Sequence, residues 1–400
     1  MKRILLLASM VVFIAAGCTK TTIQNEFQKT MDFSVQSGKL TRAIVQNGDG
    51  VDENQNFGVF AYGYQTIEEG TTPTADPIME DVMIKHYAGT EASGETSATP
   101  AVWKAAQGVY FWPNDPRTVI NFYAYSPASK DKNSTAPRHQ QLNGVVSCDV
   151  VANNNVPDGI AVTGYVHSNM YVDFMVAEPV TGATYTNPNG GTTGDVDEDD
   201  YGKVPVVFAH KMTQIVFNVK PSQDYQGVTF TVKKITLNNI KNKGDYNNKT
   251  APGEWTTTTD MNEGGYVIFP AVKFSAATLD GAPIDADENA IQITTADDLV
   301  TEPVTMIPQA LVASVVNSEG ETEVKGQSFT IEYTIAGDNV ANETVVKTIE
   351  FKSVTASSAA IDWAPNKKIT YILNIGLHEI TFEPEVGVWD PIVNSDDLDI

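Results

Sequence analysis

FTIEYTI, residues Phe329–Ile335, alternates an apolar side chain with a polar one from end to end, and that alternation decides the fold class. Phe329, Ile331, Tyr333 and Ile335 share one face of an extended chain, and Thr330, Glu332 and Thr334 share the other, because successive strand side chains point to opposite sides. The same period recurs in Phe57–Tyr62 (FGVFAY), Val109–Trp112 (VYFW), Val119–Tyr125 (VINFYAY), Ile215–Val219 (IVFNV), Phe230–Leu237 (FTVKKITL) and Ile369–Ile375 (ITYILNI). Gly, Asn, Asp and Pro clusters separate the runs. Each run has one face for a core and one for water, so the pattern predicts an all-β chain of antiparallel β-sandwiches without long helices.

The 400 residues exceed one typical domain of ~100 to 200, and two cores are expected. The clearest boundary is the polar stretch Thr181–Lys203, which includes NPNGGTTGDVDEDDYG and has almost nothing to bury. Its run Asp195-Val-Asp-Glu-Asp-Asp invites a calcium reading. An EF-hand loop starting at Asp195 needs Gly at its sixth position and Glu at its twelfth, where Asp200 and Val206 stand, so a solvated acidic loop is expected and no metal.

The N-terminus sets the compartment. Lys2-Arg3 precedes ILLLASMVVFIAA (4–16), a basic region and an apolar run too short to span a bilayer comfortably, hence a secretion signal. It ends Ala15-Ala16-Gly17-Cys18, which resembles a bacterial lipobox, and Cys18 is the expected site of lipidation; the alternative is a plain signal peptide with a chance cysteine. The only other cysteine is Cys148, so no intrachain disulfide is expected once Cys18 is acylated. The net charge of -24 sets aside nucleic acid as a partner and keeps crowded copies soluble.

Catalytic patterns are lacking: there is no GxSxG, no GxxxxGK[ST], no CxxC, and His378-Glu379 lacks the second histidine of HExxH. His210 reads as a strand-end residue. No enzyme and no cofactor are expected. The aromatic set Trp103, Tyr110, Phe111, Trp112, Phe122, Tyr123 and Tyr125 could stack on sugars, but Phe122 and Tyr123 must point to opposite faces and the spacing of Tyr110, Trp112 and Phe122 suits core packing.

One stretch near the start stands apart. FSVQSGKLTRAIV, Phe33–Val45, reads as a strand carrying Phe33 and Val35, an open Gly-Ser loop with a single arginine, and a second apolar run.

WKAAQGVYFWP (103–113), VINFYAYSP (119–127), DFMVA (173–177), FAHKMTQIVFNVK (208–220), MIPQ (306–309) and WAPNKKITYILNI (363–375) resemble, in this order, the fimbrillin-like (Mfa-like) lipoprotein pilins of type V pili. The resemblance runs from the lipobox to the C-terminus, with no assignable motif at about 130–164 or 247–289. It implies two transthyretin-like β-sandwich domains, a lipidated outer-membrane precursor, and cleavage by an Arg-specific protease that removes the first strand and opens a groove for a strand of another pilin subunit. On this reading Phe33 and Val35 belong to the displaced strand, and the cut falls between Arg42 and Ala43. The expected organisation is a lipoprotein signal at 1–17, a propeptide at 18–42, an N-terminal sandwich at 43–190, an acidic linker at 191–203 and a C-terminal sandwich at 204–400.

The candidate donor strand is ITFEPEVGVWDPIV (380–393), with Ile380, Phe382, Val386, Val388 and Trp389 apolar. Pro384, Gly387 and Pro391 suit it to an edge or donor position. Donation to a neighbour and folding back on its own domain are both open. The implied function is a stalk or tip subunit of a surface pilus with a host glycan or protein receptor. A lipid-anchored glycan-binding protein and a secreted hydrolase are the alternatives.

Overall fold

The computed structural model describes residues 29–35, 56–65, 74–87, 89, 101–128, 142–149, 157, 159–168, 170–191, 196–248, 253–261, 264–270, 273–275, 278–282, 289–294, 298–320, 322–337, 340–352, 362–377 and 379–389. Among these residues there is no α-helix, and a short 3-10 turn spans Glu198–Asp200. In chain order come β1 (Asp32–Val35), β2 (Asn56–Gln65), β3 (Asp76–Tyr87), β4 (Val102–Ala105), β5 (Thr118–Ser126), β6 (Val145–Ser147) and β7 (Ala161–Val166). Next are β8 (Met175–Ala177), β9 (Val180–Ala183), β10 (Lys203–Val206), β11 (Phe208–His210), β12 (Thr213–Pro221) and β13 (Val228–Asn238). They are followed by β14 (Lys243–Asn247), β15 (Glu254–Thr257), β16 (Tyr266–Phe269), β17 (Lys273–Ser275), β18 (Thr278–Ala282), β19 (Ile291–Ile293) and β20 (Leu299–Val300). The last are β21 (Val304–Met306), β22 (Val315–Val316), β23 (Thr322–Val324), β24 (Ser328–Gly337), β25 (Val340–Glu350), β26 (Lys367–Ile375) and β27 (Ile380–Val388).

The first sheet has the order β10-β1-β4-β3-β2-β5-β8-β11, with β9 also on β5. Its two end strands, β10 and β11, are separated in sequence only by Val207, so the sheet curls until its ends meet. Ring geometry agrees. β1 and β2 lie three places apart, which is about 14 Å in a flat sheet at ~4.8 Å per strand, yet Phe33 and Phe57 stand edge to face at 5.7 Å. The enclosed core gathers Phe33, Phe57, Val59, Phe122, Val204, Val206 and Phe208.

β2 departs from the one-wet-face expectation, because Asn56–Tyr64 is buried on both sides. Phe57, Val59 and Ala61 face the curled sheet's interior, and Phe60, Tyr62 and Tyr64 face a second cluster with Tyr165, Phe174, Tyr246 and Trp389. That outer face is covered by a four-stranded sheet, β15-β14-β7-β6, built from both halves of the chain. The regions in which the sequence shows no motif supply β6, β7 and β15.

The second sandwich packs the sheet β20-β12-β26-β27, with β21 on β12, against β16-β13-β24-β25, with β19 on β13. Phe217, Phe329, Phe351, Trp363 and Tyr371 fill its centre, and Trp363 Nε1 donates to Tyr371 Oη at 2.9 Å. The alternating residues of 329–335 do what their period requires, with Phe329, Ile331, Tyr333 and Ile335 all buried. Not every pairing is antiparallel: β12 and β26 run parallel over nine residues, Thr213↔Lys367 to Pro221↔Ile375, and β1 runs parallel to β10.

One local expectation is corrected. Val109–Trp112 forms no strand; it is a loop that touches the N-terminal segment through the bridge Thr30↔Phe111. The hydrogen-bonded sheets do not change at residue 204, since β10 and β11 follow the acidic stretch and both belong to the first sheet.

Candidate assembly site

β1 is the element that completes the first sandwich. It lies between β10, paired in parallel as Asp32↔Lys203 through Val35↔Val206, and β4, paired antiparallel at Phe33↔Trp103. Further bonds clamp the segment before it: Met31 N donates to Tyr110 O at 2.9 Å, Trp112 N to Lys29 O at 2.8 Å, and Asp32 N to Gly202 O at 3.1 Å. The Trp112 indole also donates to Gly202 O at 3.2 Å. The Lys29 ammonium sits over the Tyr185 ring, 4.3 Å from its centroid.

Side-chain parity explains why this short strand stays in place. Met31, Phe33 and Val35 point inward in turn, and Phe33 inserts its ring edge-on between Phe57 at 5.7 Å and Phe122 at 6.0 Å. Burial of one large apolar side chain is worth ~1.5 to 3 kcal/mol. Met31 was not singled out with Phe33 and Val35, although it stands two residues before Phe33 and so shares its face. Asp32 points the other way. Partial burial raises its carboxyl above the usual range, and Lys104, the Thr30 side chain and Lys203 partly oppose that rise.

Met31, Phe33 and Val35 share their core with Trp103, Phe57, Phe122, Trp112, Val204 and Val206. These include Trp112 and Phe122, two of the three aromatic residues whose spacing suits a core. Of the seven in the aromatic set Trp112, Phe122, Tyr123 and Tyr125 are buried, Trp103 and Tyr110 are half-buried, and Phe111 is exposed, at 38%. Cys18, Arg42 and Ala43 lie outside the described residues.

The C-terminal candidate is folded back on its own sandwich. β27 pairs antiparallel with β26 from Ile375↔Ile380 to Lys367↔Val388. Phe382 packs on Phe329 and Tyr371, Ile380 joins the same core, and Val386 is 42% exposed. Pro384 and Gly387 are tolerated because β27 ends its sheet and needs hydrogen bonds on one side only. Trp389 is buried beyond the strand, stacked on His210 with centroids 4.1 Å apart and planes 9° off parallel. His210 Nδ1 in turn lies 2.7 Å from Asp173 Oδ2, so β11 and the approach to β8 hold the end of β27.

The acidic stretch forms a surface turn. Asp197 accepts from Asp199 N at 3.2 Å, and Lys203 Nζ pairs with Asp200 at 3.4 Å. Among the described residues no group of three or more His, Cys, Asp or Glu side chains could hold a metal ion.

A family model described as fimbrillin-like matches residues 41–389. Among solved structures, a fimbrial protein from Bacteroides vulgatus is 18% identical with a TM-score of 0.46, over 90% of this chain and 99% of that one. The tip fimbrial protein Mfa3 from Porphyromonas gingivalis, with a C-terminal truncation, is 11% identical with a TM-score of 0.33, over 90% of this chain and 99% of that one. No curated protein matches the sequence. With the family model spanning most of its length, this chain belongs to the fimbrillin-like family.

Proposed function

We propose that the protein is a structural subunit of a cell-surface pilus, exported as a lipoprotein through Cys18, cut after Arg42 and assembled by exchange of β1 for a strand of another subunit. The observation that carries this reading is the placement of β1. Four residues complete the first sheet and plug an aromatic groove, and the only arginine between them and β2 is Arg42. A cut there severs β1 from the rest of the chain. Its departure would leave an inner edge of β4, an inner edge of β10 and the rings of Phe57 and Phe122 without their cover, a site that an extended segment with alternate apolar side chains fits by β-augmentation. While β1 is present the site is filled and premature assembly is blocked.

The pairing of β27 with β26 and the burial of Trp389 favour a subunit that receives a strand over one that donates its own C-terminus, the position of a filament end. N-terminal sequencing of the protein recovered from the cell surface tests the processing step. Ala43 as the first residue is the expected result in assembled material, and an acylated Cys18 in pilus-incorporated protein refutes the cut.

A further inference from the structure

We propose that β25 is a self-association edge, pairing antiparallel about a two-fold axis with β25 of a second copy of this chain. β25 is the longest strand at a sheet end among the described residues, 11 residues without glycine or proline, and no described strand pairs with its outer side. Its inner side is fully engaged, from Ser328↔Glu350 to Gly337↔Val340 on β24. Unpaired edges of this length invite further strands, and inward-pointing charges are one device that blunts them. β25 carries two such charges, Glu343 and Lys347, both exposed, on the same face as the half-buried Val345 and Ile349 that pack on the core. Their register positions on β24 are Ile335 and Ile331, both buried.

The spacing of these two charges selects the partner. An antiparallel pair that keeps core faces together must have its axis through a residue, since a slip of one position turns every side chain to the other face. With the axis at Val345, Glu343 of each copy opposes Lys347 of the other, two ion pairs in one isologous contact. An axis at Thr344 sets Lys347 against Ala341 and Glu343 against Val345. An axis at Val346 sets Lys347 against Val345 and Glu343 against Ile349, and an axis at Lys347 sets like charges together. The Val345 axis alone answers both charges. It also brings Val346, 59% exposed, diagonally beside Val346 of the second copy. The edge is thus blunted toward generic strands and matched to itself.

This contact is independent of strand exchange at β1, because it needs no cleavage at Arg42. Sedimentation velocity of the full exported chain over a concentration series tests it. Reversible self-association is expected, weakened about tenfold by Glu343→Lys or by Lys347→Glu alone and recovered in the double variant Glu343→Lys/Lys347→Glu. Both side chains are exposed, and circular dichroism confirms that each variant is folded. A chain that stays monomeric throughout, single reversals that associate like the native chain, or a double variant that fails to recover would each overturn the proposal. Association that appears only after cleavage at Arg42 and ignores these charges belongs to the β1 groove instead.

Discussion

Phe33 and Phe122 meet edge to face across the interior of the first sandwich, their centroids 6.0 Å apart and their planes at 89°. Phe122 belongs to the body of the domain and Phe33 to the strand proposed to leave it. The contact therefore reports whether β1 is in place.

Phe33→Ala should destabilise the precursor by about 3 kcal/mol, the low end for a buried Phe→Ala change. Denaturant unfolding of the uncut chain checks this. After cleavage at Arg42 and release of the segment, the variant and native chains should unfold identically. A residual difference would show that Phe33 has not left.

Gly202 takes φ +78°, and a Cβ there would come within 2.9 Å of the Tyr185 ring and 3.2 Å of Thr30 O. Its carbonyl accepts from both Asp32 N and the Trp112 indole. Gly202→Ala should then cost about 1 to 2 kcal/mol for the left-handed backbone alone, and the displaced carbonyl should loosen β1. Faster hydrogen exchange at Met31 and Asp32 than elsewhere in the sheet would register the effect. Uniform loss of protection would argue that Gly202 serves the whole sandwich rather than this strand.

The legible part of the fold is the part with local causes. Phe329–Ile335 alternates strictly, and Ile369–Ile375 does so apart from Ile372, because each borders one core and one wet or edge face, and their strands fall where the period places them. β2 misleads because its second face, Phe60, Tyr62 and Tyr64, is covered by strands drawn from residues 145–166 and 243–257, a burial that no local pattern encodes. The parallel match of β12 with β26 joins segments more than 140 residues apart by backbone bonds, and side-chain period carries no record of strand direction. Phe33 and Val35 were readable as an isolated strand by their spacing, whereas their partners Val204 and Val206 stand just past a stretch that reads as linker, at the start of the expected C-terminal sandwich. The sheet resumes at the end of that stretch because Lys203–Val206 alternates in the same way over only four residues.

His167 makes stability depend on pH. Its ring is buried between Tyr165 Oη, 2.9 Å from Nδ1, and Thr305 O, 2.6 Å from Nε2, so Nε2 donates to the carbonyl and Nδ1 accepts from the phenol. Burial lowers its pKa to about 4, with the Thr305 bond opposing. An unfolded histidine titrates near 6.5, so between these values the unfolded chain binds the extra proton. The stabilising contribution is present above pH 6.5 and is lost as pH falls toward 4, by about 3 kcal/mol over that window. Denaturation midpoints measured from pH 7.5 to 4.5 should fall accordingly, and His167→Gln, though less stable, should flatten the slope. An equal slope in the variant would assign the pH effect to other groups.

The strongest test of the assembly reading is restoration of what the cut removes. Cleavage after Arg42 with release of the segment that carries β1 should lower the melting temperature, because the ladder of β1 and the burial of Met31, Phe33 and Val35 are lost together. A synthetic peptide of residues 29–36 added to the cut protein should raise it again, and the gain should grow with peptide concentration as expected for a ligand that binds only the folded state. The same peptide with Phe33→Asp should have no effect, since it would place a carboxylate against Phe57 and Phe122. A second peptide, residues 380–393, asks whether this chain's own C-terminus fits the groove. Rescue by it, cancelled by Phe382→Asp with Val386→Asp, makes the chain a donor as well as an acceptor. Rescue by residues 29–36 alone assigns the donor to another subunit. A cut protein that keeps its stability and ignores both peptides has no groove to fill, and strand exchange at β1 is then not how this subunit assembles.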